Sequence, residues 1–136
     1  MRTILLLLAV ALAGCGSAAT EPESGSFVMK NGDLVIGLGE STTVAGLTIT
    51  FRDVLEDSRC PRDVVCIWEG NARVQLDLSR SGGPEASILL NTTQPRVVVF
   101  GAQRVELADV TPYPDTRVRF ARSAYRVRLR APFLPD

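Results

Sequence analysis

Apolar and polar residues alternate with period two in segment after segment of this chain. Leu47, Ile49 and Phe51 alternate with Thr48, Thr50 and Arg52, and Ala72, Val74, Leu76 and Leu78 with Arg73, Gln75, Asp77 and Ser79. Leu34, Ile36 and Leu38 are spaced the same way, Val105 and Leu107 flank Glu106, and Tyr125, Val127 and Leu129 alternate with Arg126, Arg128 and Arg130. Successive strand residues face opposite sides of a sheet, so each pattern sets one apolar row against a core and one polar row in water. Two further stretches, Ile88–Leu90 and Val97–Phe100, are continuous apolar runs, which predicts strands buried on both faces. Turn signals separate these segments: Asn31-Gly32, Ala45-Gly46, Ser81-Gly82-Gly83-Pro84, Gln94-Pro95 and Pro112-Tyr113-Pro114. No segment offers a helical face over three turns. The fold predicted is all-β, an antiparallel β-sandwich of about 7–9 short strands, with a small β-barrel as the alternative.

The N-terminus follows a different rule. Ile4–Leu12 is an unbroken run of nine apolar residues behind Arg2. A helix needs about 20 such residues to span a bilayer, whereas a signal-peptide hydrophobic segment needs about 7–15. Leu12-Ala13-Gly14-Cys15 follows directly and resembles the bacterial lipobox, whose cysteine is acylated and becomes the new N-terminus. The resemblance implies a signal peptide over residues 1–14 and lipidation of Cys15. Several acyl chains, at about 0.8 kcal/mol per buried methylene, hold a small protein on a membrane. Gly16 stands where an aspartate would signal inner-membrane retention, which points to the outer membrane if the cell is Gram-negative. Residues 15–26 continue as a small, polar, acidic stretch and read as a flexible tether, leaving residues 27–136 as a single β domain.

Composition removes several functions. The 136 residues contain no histidine, which removes histidine-dependent triads and His-ligated zinc or copper. Lys30 is the only lysine, and it falls before the first strongly alternating segment. Fifteen basic and fifteen acidic groups balance, so no bulk attraction to nucleic acid is expected. Neither a cofactor nor a metal is expected.

The segment from Val54 to Ala72 is the most distinctive. With Cys15 taken by lipid, Cys60 and Cys66 remain, and in an oxidising compartment they are expected to form one disulfide that staples the crossover between two strands. The rival readings are a redox pair and thiolate metal ligands. Trp68, the only tryptophan, is expected to pack over the disulfide and the core; an exposed platform for a ligand is the alternative. Asp57 and Arg59 flank the first cysteine and are expected to be architectural, the carboxylate accepting backbone N–H groups and the guanidinium pairing with a carboxylate. Glu56, Asp57, Asp63 and Glu69 lie close in sequence and raise a calcium site or a catalytic carboxylate pair as weaker alternatives.

The string Asp57-Ser58-Arg59-Cys60-Pro61, followed by Cys66, Trp68, Gly70 and Ala72, resembles a recurrent signature of small bacterial lipoproteins and secreted proteins. Val110, Pro112, Pro114 and Tyr125 are similar too, while Glu69 stands where alanine is commoner. The resemblance implies export and a β-rich fold. No activity comes with it.

Arginines crowd the last quarter. If Val127 and Leu129 point inward, Arg126, Arg128 and Arg130 form one outward row. That row reads either as a solvated face paired with neighbouring carboxylates that also protects an edge, or as a docking stripe for anionic envelope components. The function expected is a non-enzymatic, membrane-anchored binding module whose interface lies at Trp68 or on Arg126, Arg128 and Arg130. Its partner would be an anionic envelope component or another envelope protein. A purely structural envelope lipoprotein is the alternative, and a carboxylate-based hydrolase a weaker third.

Overall fold

A computed structural model describes residues 27–28 and 32–130 of the chain. The expected signal peptide, Cys15 and the tether lie outside the described residues. Within them the chain forms nine strands: β1 (Phe27–Val28), β2 (Asp33–Gly37), β3 (Ser41–Val44), β4 (Leu47–Asp57), β5 (Ala72–Arg80), β6 (Glu85–Asn91), β7 (Val97–Phe100), β8 (Gln103–Thr111) and β9 (Arg126–Arg130). One turn of 3-10 helix, Arg122–Ala124, precedes β9. Two antiparallel sheets result, one ordered β1-β2-β9-β8-β7 and the other β3-β4-β5-β6. The predicted sandwich is the observed architecture.

The alternating rows make the core. Leu34, Ile36, Val105, Leu107, Val127 and Leu129 from the first sheet meet Ile49, Phe51, Val74, Leu76 and Leu78 from the second, all fully buried. Burying each such side chain contributes roughly 1.5–3 kcal/mol, which makes these facing rows the main force joining the sheets. Ala45 and Gly46 both adopt positive φ, 48° and 73°, and close the β3–β4 hairpin as a two-residue turn whose twist suits the strands.

Alternation is interrupted in two strands. The pairing of β4 with β5 shifts between Phe51 and Asp53 and again between Val54 and Glu56. In β8 it shifts between Leu107 and Asp109. Such bulges place one extra residue in a strand, so the buried positions step from Phe51 to Val54 and from Leu107 to Val110. An aspartate closes the kink after Phe51 and the one after Leu107: Asp53 accepts the Val54 N–H at 2.8 Å, and Asp109 accepts the Val110 N–H at 2.8 Å.

Three expectations need correction. The continuous runs are not buried on both faces: β6 and β7 are edge strands, and Leu89 and Val99 are 47% and 67% exposed. In a two-sheet sandwich every strand packs one face on the core and leaves the other toward water, whatever its composition. Next, β9 lies between β2 and β8, so its arginines protect no edge. Last, the segment between β4 and β5 is not a crossover, because those two strands are antiparallel neighbours in one sheet.

Candidate functional site

The β4–β5 connection is a long hairpin loop that continues the ladder past its strands. Ser58 donates its N–H to Asn71 at 2.7 Å, and Cys60 donates to Glu69 at 2.8 Å. Gly70 makes this close approach work. Its φ is +70°, and a Cβ there would lie 1.8 Å from the Ser58 carbonyl oxygen. Beyond Cys60 the chain turns back through Val64, whose N–H meets the Pro61 carbonyl at 3.2 Å, and the disulfide Cys60–Cys66 ties the turn with Cα atoms 5.8 Å apart.

A buried ionic lock holds the base of this loop. Arg59 is 5% exposed. Its Nε and Nη2 each donate to one carboxylate oxygen of Asp57, both at 2.7 Å, in a bidentate pair. Nη1 donates to the Val110 carbonyl, and Nη2 also to that of Pro112 at 3.0 Å. The guanidinium carbon sits 4.7 Å from the centre of the Tyr113 ring. Tyr125 donates its hydroxyl to Asp57 at 2.9 Å. Burial and the neighbouring Asp57 carboxylate push the Tyr125 phenol above its ordinary range. Asp57 therefore meets a guanidinium and a phenol, rather than the backbone N–H groups expected of it. The lock joins the end of β4 in one sheet to the end of β8 and to Tyr125, just before β9, in the other.

A second set of contacts docks the ring onto the loop that follows β8. Arg62 donates its backbone N–H to Pro114 at 3.0 Å, and its Nε meets Asp115 at 3.0 Å. Asp115 has a side chain only 1% exposed and also takes Arg117 Nε at 2.9 Å, Arg117 Nη2 at 2.8 Å and the Arg117 backbone N–H at 3.0 Å. Those donors, led by the Arg117 side chain, hold its carboxyl well below the usual range. Asp63 bonds the Thr116 hydroxyl and accepts the Thr116 N–H at 2.9 Å, and its carboxyl is lowered chiefly by that hydroxyl.

With its base fixed, the loop presents its apolar tip to solvent. Val65 is 100% exposed, Ile67 92% and Trp68 81%. The expectation that Trp68 packs over the disulfide and core is overturned. The loop extends the β4–β5 ladder past the ends of its strands, so Trp68, beyond the Cys60–Glu69 pair, lies clear of the core. Val118 and Phe120 are also exposed, on the loop the ring docks against.

The arginine row reads differently. Arg128 lies 3.5 Å from Asp109, and Arg130 lies 3.7 Å from Asp33 and 4.0 Å from Glu106. Among the described residues the Arg126 side chain donates only to the backbone carbonyls of Ser123 and Tyr125. The structure brings Asp57, Arg59, the disulfide and Trp68 into one loop, and leaves Arg128 and Arg130 on the flat face of the other sheet.

Beside the loop is an open cleft of about 210 Å³, bordered by Glu69, Thr92, Thr93, Arg96, Asp109 and Tyr113. Arg96 and Asp109 are committed to the β8 bulge: Arg96 Nη2 donates to the Ala108 carbonyl at 2.9 Å. The four carboxylates close in sequence are dispersed. Glu56 lies 3.7 Å from Arg73, Asp57 pairs with Arg59, and Asp63 with Thr116. Among the described residues no cluster of three or more Cys, Asp or Glu could hold a metal ion.

The sequence pointed to the cysteines, Asp57, Arg59 and Trp68. It did not single out Asp115, Thr116 or Tyr113 as partners of the loop. The available signal was Pro114-Asp115, a dipeptide suited to a turn whose carboxylate bonds backbone ahead of it. No family model, curated protein or solved structure matches the chain.

Proposed function

We propose that this chain is a cell-envelope lipoprotein, anchored by acyl chains on Cys15, whose β domain is a non-enzymatic binding module. The binding surface is the cysteine-loop end of the sandwich. One observation carries this reading: a loop anchored by a disulfide and a buried ionic lock displays Val65, Ile67 and Trp68 in water. Exposing large apolar side chains forfeits the burial energy they supply in a core, and contiguous exposed apolar groups mark contact surfaces. Rigid support adds to the case, because a preformed surface loses little freedom on binding. The shallow, polar cleft and the dispersed carboxylates lend no comparable support to hydrolysis. Arg128 and Arg130, paired across strands, fit a solvated sheet face.

The anchor is tested by changing Cys15→Ala and comparing the masses of the two chains. The unaltered chain should carry acyl mass on Cys15 that the variant lacks, and a mature chain with a free, unacylated Cys15 thiol would refute the anchor. The surface is tested by crosslinking in intact envelopes. Ile67→Ser with Trp68→Ser should abolish adducts that Arg126→Gln, Arg128→Gln and Arg130→Gln together leave in place. The reverse pattern would move the surface to the arginine face.

A further inference from the structure

We infer that the cysteine loop docks into the lipid surface to which the chain is tethered, with Val65, Ile67 and Trp68 entering the interfacial layer of an anionic bilayer. The inference rests on the lipid-anchor reading above and names the partner of the same surface.

Chain direction is the first support. β1 runs antiparallel to β2, with Phe27 opposite Val35 and Val28 opposite Leu34. Gly37 of β2 faces Arg126 of β9, and Arg126 faces Thr111 of β8. The chain therefore comes into β1 from the end of the sandwich where the loops after β4 and β8 project. Eleven residues, 16–26, separate Cys15 from Phe27. At about 3.3–3.6 Å per residue they reach at most roughly 40 Å, comparable to a small domain. A lipid at Cys15 would thus hold the loop end near the membrane.

The form of the apolar group is the second support. Val65 and Ile67 are almost wholly exposed on a narrow tip, and Trp68 beside them is 81% exposed. A protruding tip suits a soft planar phase, which can close around it. Tryptophan favours the headgroup level, where its ring is buried and its N–H stays hydrated.

Charge is the third. The segments Asp57–Glu69 and Pro112–Arg122 hold five arginines against four carboxylates. Among the described residues Arg119 has no ion-pair partner, and the Arg62 and Arg117 side chains are 60% and 72% exposed despite theirs. Guanidinium groups around an apolar tip match lipid phosphates.

Trp68 is the sole tryptophan, so its emission reports the tip alone. The full chain, purified from cells, is reconstituted into vesicles of phosphatidylglycerol and phosphatidylethanolamine with brominated acyl chains. Trp68 emission should move to shorter wavelength and be quenched by the bromines. Val65→Asp with Ile67→Asp should abolish both effects without changing the melting temperature. Emission that stays at the water-exposed wavelength, beyond reach of the bromines, overturns the inference. A photocrosslinker at position 65 that yields a protein adduct in envelopes, in place of lipid, also overturns it. Acyl mass on Cys15 is scored separately. If it is present and Trp68 is unquenched, the anchor stands and docking fails. If it is absent, the anchor fails, and quenching of the unanchored chain by the same vesicles decides docking.

Discussion

Arg59 illustrates how one side chain can join two sheets. Its guanidinium satisfies the aspartate that ends the preceding strand and two carbonyls from the other sheet's side, while its face lies over Tyr113. Removing one partner of such a pair leaves a buried charge exposed to a low-dielectric setting. Arg59→Ala should lower the unfolding free energy by about 3–5 kcal/mol in urea titrations. Adding Asp57→Ala should recover part of that loss, and a double variant no better than the single would contradict the coupling. The sequence made Asp57 and Arg59 conspicuous beside a cysteine, but their distant partners Tyr125, Val110 and Pro112 were hidden. Nothing local in Tyr125 says that its hydroxyl ends on Asp57. Trp68 was misread for a related reason. The run Val64-Val65-Cys66-Ile67-Trp68 has no period, and an aperiodic apolar run is compatible with a core or with an exposed patch.

Among elements, the strands with one wet face were legible because alternation is a direct imprint of the pleat. Edge position was not, since it depends on which strands pair, and that is a non-local outcome. Leu89 and Val99 show the difference: each sits in a run that reads as buried, yet each faces water at the rim of its sheet. Bulges were equally hidden, and they decide that Val54 and Val110 point inward. The stapled loop has its own stability signature. Closing so short a ring restricts the unfolded chain by about 2 kcal/mol, so Cys60→Ser with Cys66→Ser should lower stability by about that amount and keep the strands intact by circular dichroism. No change in melting would count against the staple. Acid should loosen the same region. Asp115 titrates below its ordinary 3.8 when folded, so between the two values the unfolded chain takes up protons that the folded one does not. Its contribution is complete above about pH 5 and declines as the pH falls through 4 and below. Melting followed down to about pH 3 should show this decline, and Asp115→Asn should flatten it.

At the scale of the molecule, the two ends of the sandwich are fastened unequally. At the loop end, contacts from Arg59, Arg62, Asp63, Arg122 and Tyr125 cross between the sheets. At the far end the cross-sheet contacts run through Gln103, which meets Arg80 and donates to the Ala45 carbonyl at 3.2 Å. Local opening follows the weaker fastening. Amide hydrogen exchange should therefore be fastest around Val44–Leu47 and Phe100–Gln103 and slowest around Asp57, Val110 and Val127, and a uniform profile would show that the lock adds no rigidity. A gradient of that sense means that thermal fraying begins at the end remote from the cysteines, so the display tip stays in register while the opposite rim breathes.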